Sequence, residues 1–236
     1  MIMQRTLALA ASLSIAGLAS ADTPVLGGTM LHLLVSQNGQ ALEFQFETPV
    51  SEPVELFLYE GDVYPGPAGV LTGTHYSGRF GWLADGFFDL PAGSGVFVEN
   101  LGTTPGLSVY DAFSFAPILG TSGSSNIWQW GGMMTHNWYS ATAPGVYSAT
   151  YRVYVGNAST RAPIAGWTPV ELTLEWFVPS VCVADVNNDG VLSPADFTAW
   201  IASYNAQASG CDQNGDGFCT PADFTAWIRN YNAGCE

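Results

Sequence analysis

A chain of 236 residues with 20 Asp and Glu against five Arg and no Lys has a formal charge of -15, so it repels phosphate backbones and anionic lipid. Nucleic acid and membrane surfaces are thereby poor candidate partners, and no nucleic-acid partner is expected. Six of the carboxylates fall in two short loops near the C-terminus, so bound metal would neutralise part of the charge.

In chain order, residues 1–21 read as a secretory leader. Arg5 gives the positive flank, Leu7 to Leu18 the apolar stretch, and Ala19-Ser20-Ala21 a small-residue cleavage site. The expected mature chain begins at Asp22 and is exported. The apolar stretch is too short to cross a hydrocarbon layer of about 30 Å, and no later segment reaches roughly 18 uninterrupted apolar residues, so no transmembrane span is expected. About 215 residues remain, enough for one medium and one small domain.

From Thr29 to Trp176 the pattern has a period of two. Leu42, Phe44 and Phe46 alternate with Glu43, Gln45 and Glu47, and Val54, Leu56 and Leu58 form a second such stretch. Tyr147, Ala149, Tyr151, Val153 and Val155 share one face, as do Val170, Leu172, Leu174 and Trp176. Turn clusters separate them: Pro65-Gly66-Pro67, Gly93-Ser94-Gly95, Thr103-Thr104-Pro105-Gly106 and Pro144-Gly145, with no helical stretch between. The expected fold of residues 22–178 is mainly β, an antiparallel β-sandwich.

After Val178-Pro179-Ser180 the texture changes, and residues 179–236 are expected to form a second, all-α module. DVNNDGVLSPADFTAWIASYNA from Asp185 repeats as DQNGDGFCTPADFTAWIRNYNA from Asp212, with PADFTAWI identical in both, which marks a duplication. Phe197, Trp200, Ile201 and Tyr204, and again Phe224, Trp227, Ile228 and Tyr231, have the i, i+3, i+4, i+7 spacing of a helix stripe. Twelve residues with oxygen donors at calcium-loop spacing precede each helix. Asp185, Asn187, Asp189, the Val191 carbonyl, Ser193 and Asp196 occupy positions one, three, five, seven, nine and twelve, with Gly190 at six. Asp212, Asn214, Asp216, Phe218, Thr220 and Asp223 repeat the set, with Gly217 at six. Two calcium ions are therefore expected. Aspartate replaces the usual glutamate at position twelve and has a shorter reach, so magnesium or a weaker site stays open. Ser193-Pro194-Ala195-Asp196 and Thr220-Pro221-Ala222-Asp223 also read as helix starts, with a hydroxyl cap, Pro at the first helical position and a carboxylate at the third.

All four cysteines, Cys182, Cys211, Cys219 and Cys235, lie in this tail, where a small core needs staples. Three pairings are allowed. Bracketing favours Cys211 with Cys219 as a loop staple and Cys182 with Cys235 as a terminal clasp. The alternative is that Cys235 is itself an attachment point.

Two loop–helix repeats without the full first helix of an EF-hand resemble dockerin modules, in particular the variant ending in Gly-Cys found on many exported bacterial proteins. The resemblance covers residues 182–236. It implies a calcium-stabilised module that docks on a cohesin-like or other cell-surface partner and tethers the domain before it. The family's partner-reading places, positions ten and eleven, hold Pro194-Ala195 and Pro221-Ala222, where cellulosomal members often carry hydroxyls. This departure sets an ordinary cohesin in question, while the matching copies leave a symmetric two-way docking mode open.

In the large domain, Trp128, Trp130 and Trp138 crowd NIWQWGGMMTHNW, with Trp82 and Trp167 elsewhere. Exposed, they would make a platform for glycan or polysaccharide; the plainer reading, favoured here, is sandwich core. His32, His75 and His136 could meet as a metal site, although residues so distant in sequence, without a spacing motif, are usually not ligands. Glu43 with Glu47, and Glu171 with Glu175, lie roughly 13 Å apart along a strand, farther than the about 5 to 9.5 Å of glycosidase pairs. No nucleophile elbow, HExxH or phosphate loop occurs. THNWYSATAPGVYSATYRVYV is faintly similar to a strand motif of bacterial surface-anchored β-domains, which implies a surface role. The expected function is thus a secreted or cell-surface β-domain, structural or ligand-binding, displayed through a calcium-binding dockerin-like module. The alternative is a small polysaccharide-active hydrolase carried by a dockerin.

Overall fold

The computed structural model describes residues 22–180 and 182–235; the leader expected over residues 1–21 lies outside them. Twelve strands come first: β1 (Leu31–Asn38), β2 (Ala41–Phe46), β3 (Val54–Glu55), β4 (Phe57–Leu58), β5 (His75–Ser77) and β6 (Phe80–Ala84). They continue with β7 (Ser94–Thr103), β8 (Ser108–Tyr110), β9 (Ile127–Trp130), β10 (Trp138–Ala141), β11 (Gly145–Asn157) and β12 (Val170–Val178), followed by helices α1 (Pro194–Ala206) and α2 (Pro221–Ala233). The protein is mainly β, with short helices. Among the described residues, no helix is long and apolar enough to cross a membrane.

The strands form three sheets, ordered β2-β1-β6, β4-β5-β10-β8 and β3-β12-β11-β7-β9. Period-two segments behave as their chemistry dictates. Along β12, Leu172, Leu174, Trp176 and Val178 are buried while Glu171, Thr173 and Glu175 face solvent, because successive side chains of a strand point to opposite sides.

Three features differ from a purely antiparallel reading. β1 pairs with β6 and β3 with β12 in parallel, which requires long crossovers rather than hairpins. The stretch Val54-Leu56-Leu58 is divided: β3 pairs with β12, β4 with β5, and the chain changes sheet at the fully buried Leu56, whose N–H donates to the Phe177 carbonyl at 2.8 Å. The expected turn Pro65-Gly66-Pro67 opens a 3-10 helix over Gly66–Leu71, since Pro67 supplies a helical φ and removes an N–H that would go unpaired in the first turn.

One large apolar core draws on all three sheets. At its centre Tyr139 of β10 stacks on Trp176 of β12 with ring centroids 4.4 Å apart, and Phe80 of β6 lies edge-on to both. A smaller cluster gathers Tyr64, Leu71, Tyr76 and Trp138. The C-terminal segment has its own core of Ala184, Trp200 and Trp227, with Phe197, Leu192, Tyr204 and Tyr231 against it. Disulfide Cys182–Cys235 clasps the ends of that segment, and Cys211–Cys219 staples the first part of its second loop.

Candidate metal centre

The two loops preceding α1 and α2 fold alike. Positions four and six are left-handed in both: Asn188 (φ 54°) and Gly190 (φ 80°), Gly215 (φ 75°) and Gly217 (φ 83°). Glycine or asparagine is favoured there because a Cβ clashes with the backbone in that region. The turn folds the chain back over its first carboxylate. Asp185 accepts from Asp189 N–H at 3.2 Å and Gly190 N–H at 2.9 Å; Asp212 accepts from Asp216 at 3.2 Å and Gly217 at 2.8 Å. Asp189 and Asp216 accept from Val191 and Phe218 N–H at 2.8 and 2.9 Å.

Asp196 and Asp223 are fully buried and tie each loop to its helix. Asp196 accepts from Ser193 N–H at 2.8 Å and Asn187 N–H at 3.4 Å. Asp223 accepts from Thr220 N–H at 2.8 Å and Gln213 N–H at 2.9 Å. Ser193 and Thr220 complete capping boxes, accepting from Ala195 and Ala222 N–H at 3.2 and 3.3 Å. Burial alone would raise the Asp196 and Asp223 carboxyls, but these amide donors outweigh it and hold both below the ordinary value.

Each carboxylate oxygen has two lone-pair sites, so an accepted N–H leaves capacity for a cation. Asp185 also approaches Asp196 across the first loop. The Asn187 amide donates to Asp189 at 2.9 Å, and Asn214 to Asp216 at 3.0 Å. Among the described residues, no Arg or His is ion-paired with these six carboxylates, and no three His, Cys, Asp or Glu side chains converge on one point. The donors are carboxylate, amide, hydroxyl and carbonyl oxygens, a set that suits a hard ion such as calcium. Val191 and Phe218, whose carbonyls occupy position seven, carry exposed side chains.

How the two copies lock together is not legible in their repeat pattern. Trp200 Nε1 donates to the Cys211 carbonyl at 3.1 Å, and Trp227 Nε1 to the Ala184 carbonyl at 3.2 Å, all buried. Those carbonyls immediately precede Asp212 and Asp185, so each helix anchors the opposite loop. Gln213, also missed, is buried and donates to the Val183 carbonyl at 2.8 Å. Pro194, Ala195, Pro221 and Ala222 are exposed on the first turns of the helices. Beside them runs an apolar groove lined by Pro194, Phe197, Phe224, Trp227, Ile228 and Tyr231.

In the β-rich part, Trp130 and Trp138 are 2% and 7% exposed, and Trp128 packs partly buried against the main core. Their indoles therefore do not form a shared exposed platform: the apolar rings fill the interior. An open cleft at the β7–β9 edge is lined by Phe87, Phe88, Leu90, Gln129, Trp130 and Met133. Glu43, Glu171 and Glu175 are exposed. His32 and His136 meet with ring centroids 5.9 Å apart, whereas His75 lies on the four-stranded sheet opposite Ala141. Burial pushes the His136 imidazole below its ordinary value, against the raising effect of the Gly78 carbonyl.

Comparison with known protein families, curated proteins and solved structures finds no match.

Proposed function

We propose that the protein is a secreted or cell-surface β-domain tethered through a calcium-binding, dockerin-like module. The observation that carries this reading is the repetition of one geometry in two loops: six carboxylates bound only by neutral amide and hydroxyl donors, each loop ending in a buried aspartate fastened to a helix start. Asp185, Asn187, Asp189, the Val191 carbonyl, Ser193 and Asp196 would hold one calcium. Asp212, Asn214, Asp216, the Phe218 carbonyl, Thr220 and Asp223 would hold the other. The ion supplies charge compensation, so the module's order depends on it.

The exposed first turns at Pro194-Ala195 and Pro221-Ala222, with the apolar groove beside them, are the docking face for a cell-surface partner. The β-rich part reads as a sandwich, supported by the stacking of Tyr139 on Trp176 across sheets, and its role is structural or ligand-binding. Two cystines agree with export, since disulfides persist in oxidising compartments. Fractionation of the producing cells tests the tether: the intact chain should be retained at the surface and a chain ending at Ser180 released into the medium. Equal retention of both would refute it.

A further inference from the structure

We propose that His32 and His136 form a second metal site, distinct from the C-terminal loops, that takes a first-row transition ion such as zinc through the two Nε2 atoms. Backbone pairing brings the residues together. β1 and β6 run parallel with His32 in register with Gly81. Thr135 bridges to Trp82, with Trp82 N–H donating to the Thr135 carbonyl at 2.9 Å and Thr135 N–H returning at 3.0 Å. His136 consequently lies over Gly81. A Cβ at Gly81 would stand 2.4 Å from both Cε1 and Nε2 of His136, so the absence of a side chain there lets that edge of the ring settle beside His32.

Each ring is oriented by its other nitrogen. His136 Nδ1 lies 2.7 Å from the Gly78 carbonyl and His32 Nδ1 lies 2.5 Å from Glu47 Oε2. A carbonyl and a carboxylate only accept, so both Nδ1 atoms carry protons, and each ring in its neutral form presents an Nε2 lone pair. Both Nε2 atoms are buried and without a hydrogen-bond partner. One such orphan costs free energy; two on rings in contact call for a shared partner. An ion about 2.1 Å from each Nε2 puts the ring centroids roughly 5 to 6 Å apart, and they stand at 5.9 Å. Carboxylate and carbonyl acceptors on the far nitrogens are the usual outer support of metal-bound imidazoles. Nitrogen donors select zinc, copper or nickel over calcium. No third His, Cys, Asp or Glu joins the pair among the described residues, so the proposed site has two protein ligands.

The test uses the full chain, disulfides intact, in saturating calcium so that oxygen-donor loops are occupied. Zinc titrated against a chromophoric chelator should bind with 1:1 stoichiometry. His32→Gln and His136→Gln should each weaken it at least about tenfold, and Glu47→Ala, at an exposed position, by about 10- to 100-fold. His75→Gln should leave it unchanged. Should the histidine variants fail to fold, X-ray absorption at the zinc edge of the unmodified protein decides alone: two imidazole ligands support the site. No zinc uptake, uptake indifferent to His32, His136 and Glu47, or an all-oxygen shell would overturn it.

Discussion

Trp200 and Trp227 each bring one polar atom into an otherwise apolar core, and each spends it on a carbonyl at the head of the other copy's loop. Trp200→Phe keeps most of the ring volume but leaves the Cys211 carbonyl without its buried donor. The expected loss is about 1–3 kcal/mol of the segment's stability, read from denaturant unfolding followed by far-ultraviolet ellipticity, and Trp227→Phe should cost a similar amount. A large asymmetry between the two would contradict the reciprocal anchoring. Asp111 offers a residue-scale test in the β-rich part. Burial raises its carboxyl, but N–H groups of Ser114 and Phe113 and the Ser114 hydroxyl, at 2.9, 3.2 and 2.7 Å, outweigh this and hold it below the ordinary value. A carboxyl depressed on folding stabilises above its unfolded value, and that contribution is lost as pH falls through the folded one. Asp111→Ala should therefore cost about 1 kcal/mol at neutral pH, and the difference from the parent chain should vanish in acid below the carboxylate range. The sequence raises His32, His75 and His136 as a cluster but offers no spacing motif to support it; that His32 and His136 meet while His75 does not depends on a parallel register and on the missing Cβ of Gly81.

Among elements, long alternating segments were legible and the short or doubly buried ones were not. β2, β11 and β12 announce themselves by polar residues at every second place. β7 does not, since Val96, Phe97 and Val98 are all buried: one side faces the main core while Phe97 stacks on Tyr154 at 5.6 Å. β5, β8 and β10 are three or four residues long, too short for a period to register, while β3 and β4 read as one stretch because the change of sheet at Leu56 leaves the alternation intact. Within the loop–helix repeats, identical PADFTAWI segments made the duplication plain, yet the stripe reading overstates burial: Ile201, Phe224 and Ile228 are 40–41% exposed. The two cystines differ in the length of chain they close, 53 residues for Cys182–Cys235 and 8 for Cys211–Cys219. Chain entropy assigns the first about 4 kcal/mol and the second about 2.5 kcal/mol. Replacing Cys182 and Cys235 by Ser should accordingly lower the segment's midpoint further than replacing Cys211 and Cys219, and the reverse order would show that loop strain outweighs entropy.

For the whole molecule, charge is the organising quantity. Five arginines cannot balance 20 carboxylates, and the Arg152–Glu99 ion pair and the His32–Glu47 contact both lie in the β-rich part. The six loop carboxylates are left to neutral amide and hydroxyl donors, and repulsion within each loop should make order there conditional on a cation. Asp189→Ala with Asp216→Ala should abolish calcium-dependent helix content while the β-sheet signal and near-ultraviolet tyrosine and tryptophan bands of residues 22–180 persist. The most direct measurement is calorimetric titration of calcium into the chelator-treated intact chain, with ellipticity at 222 nm followed in parallel. The account predicts two bound ions and a gain of helix. No heat of binding and an unchanged spectrum would contradict it, reducing the tail to a disulfide-stapled helix pair whose aspartates serve only as caps.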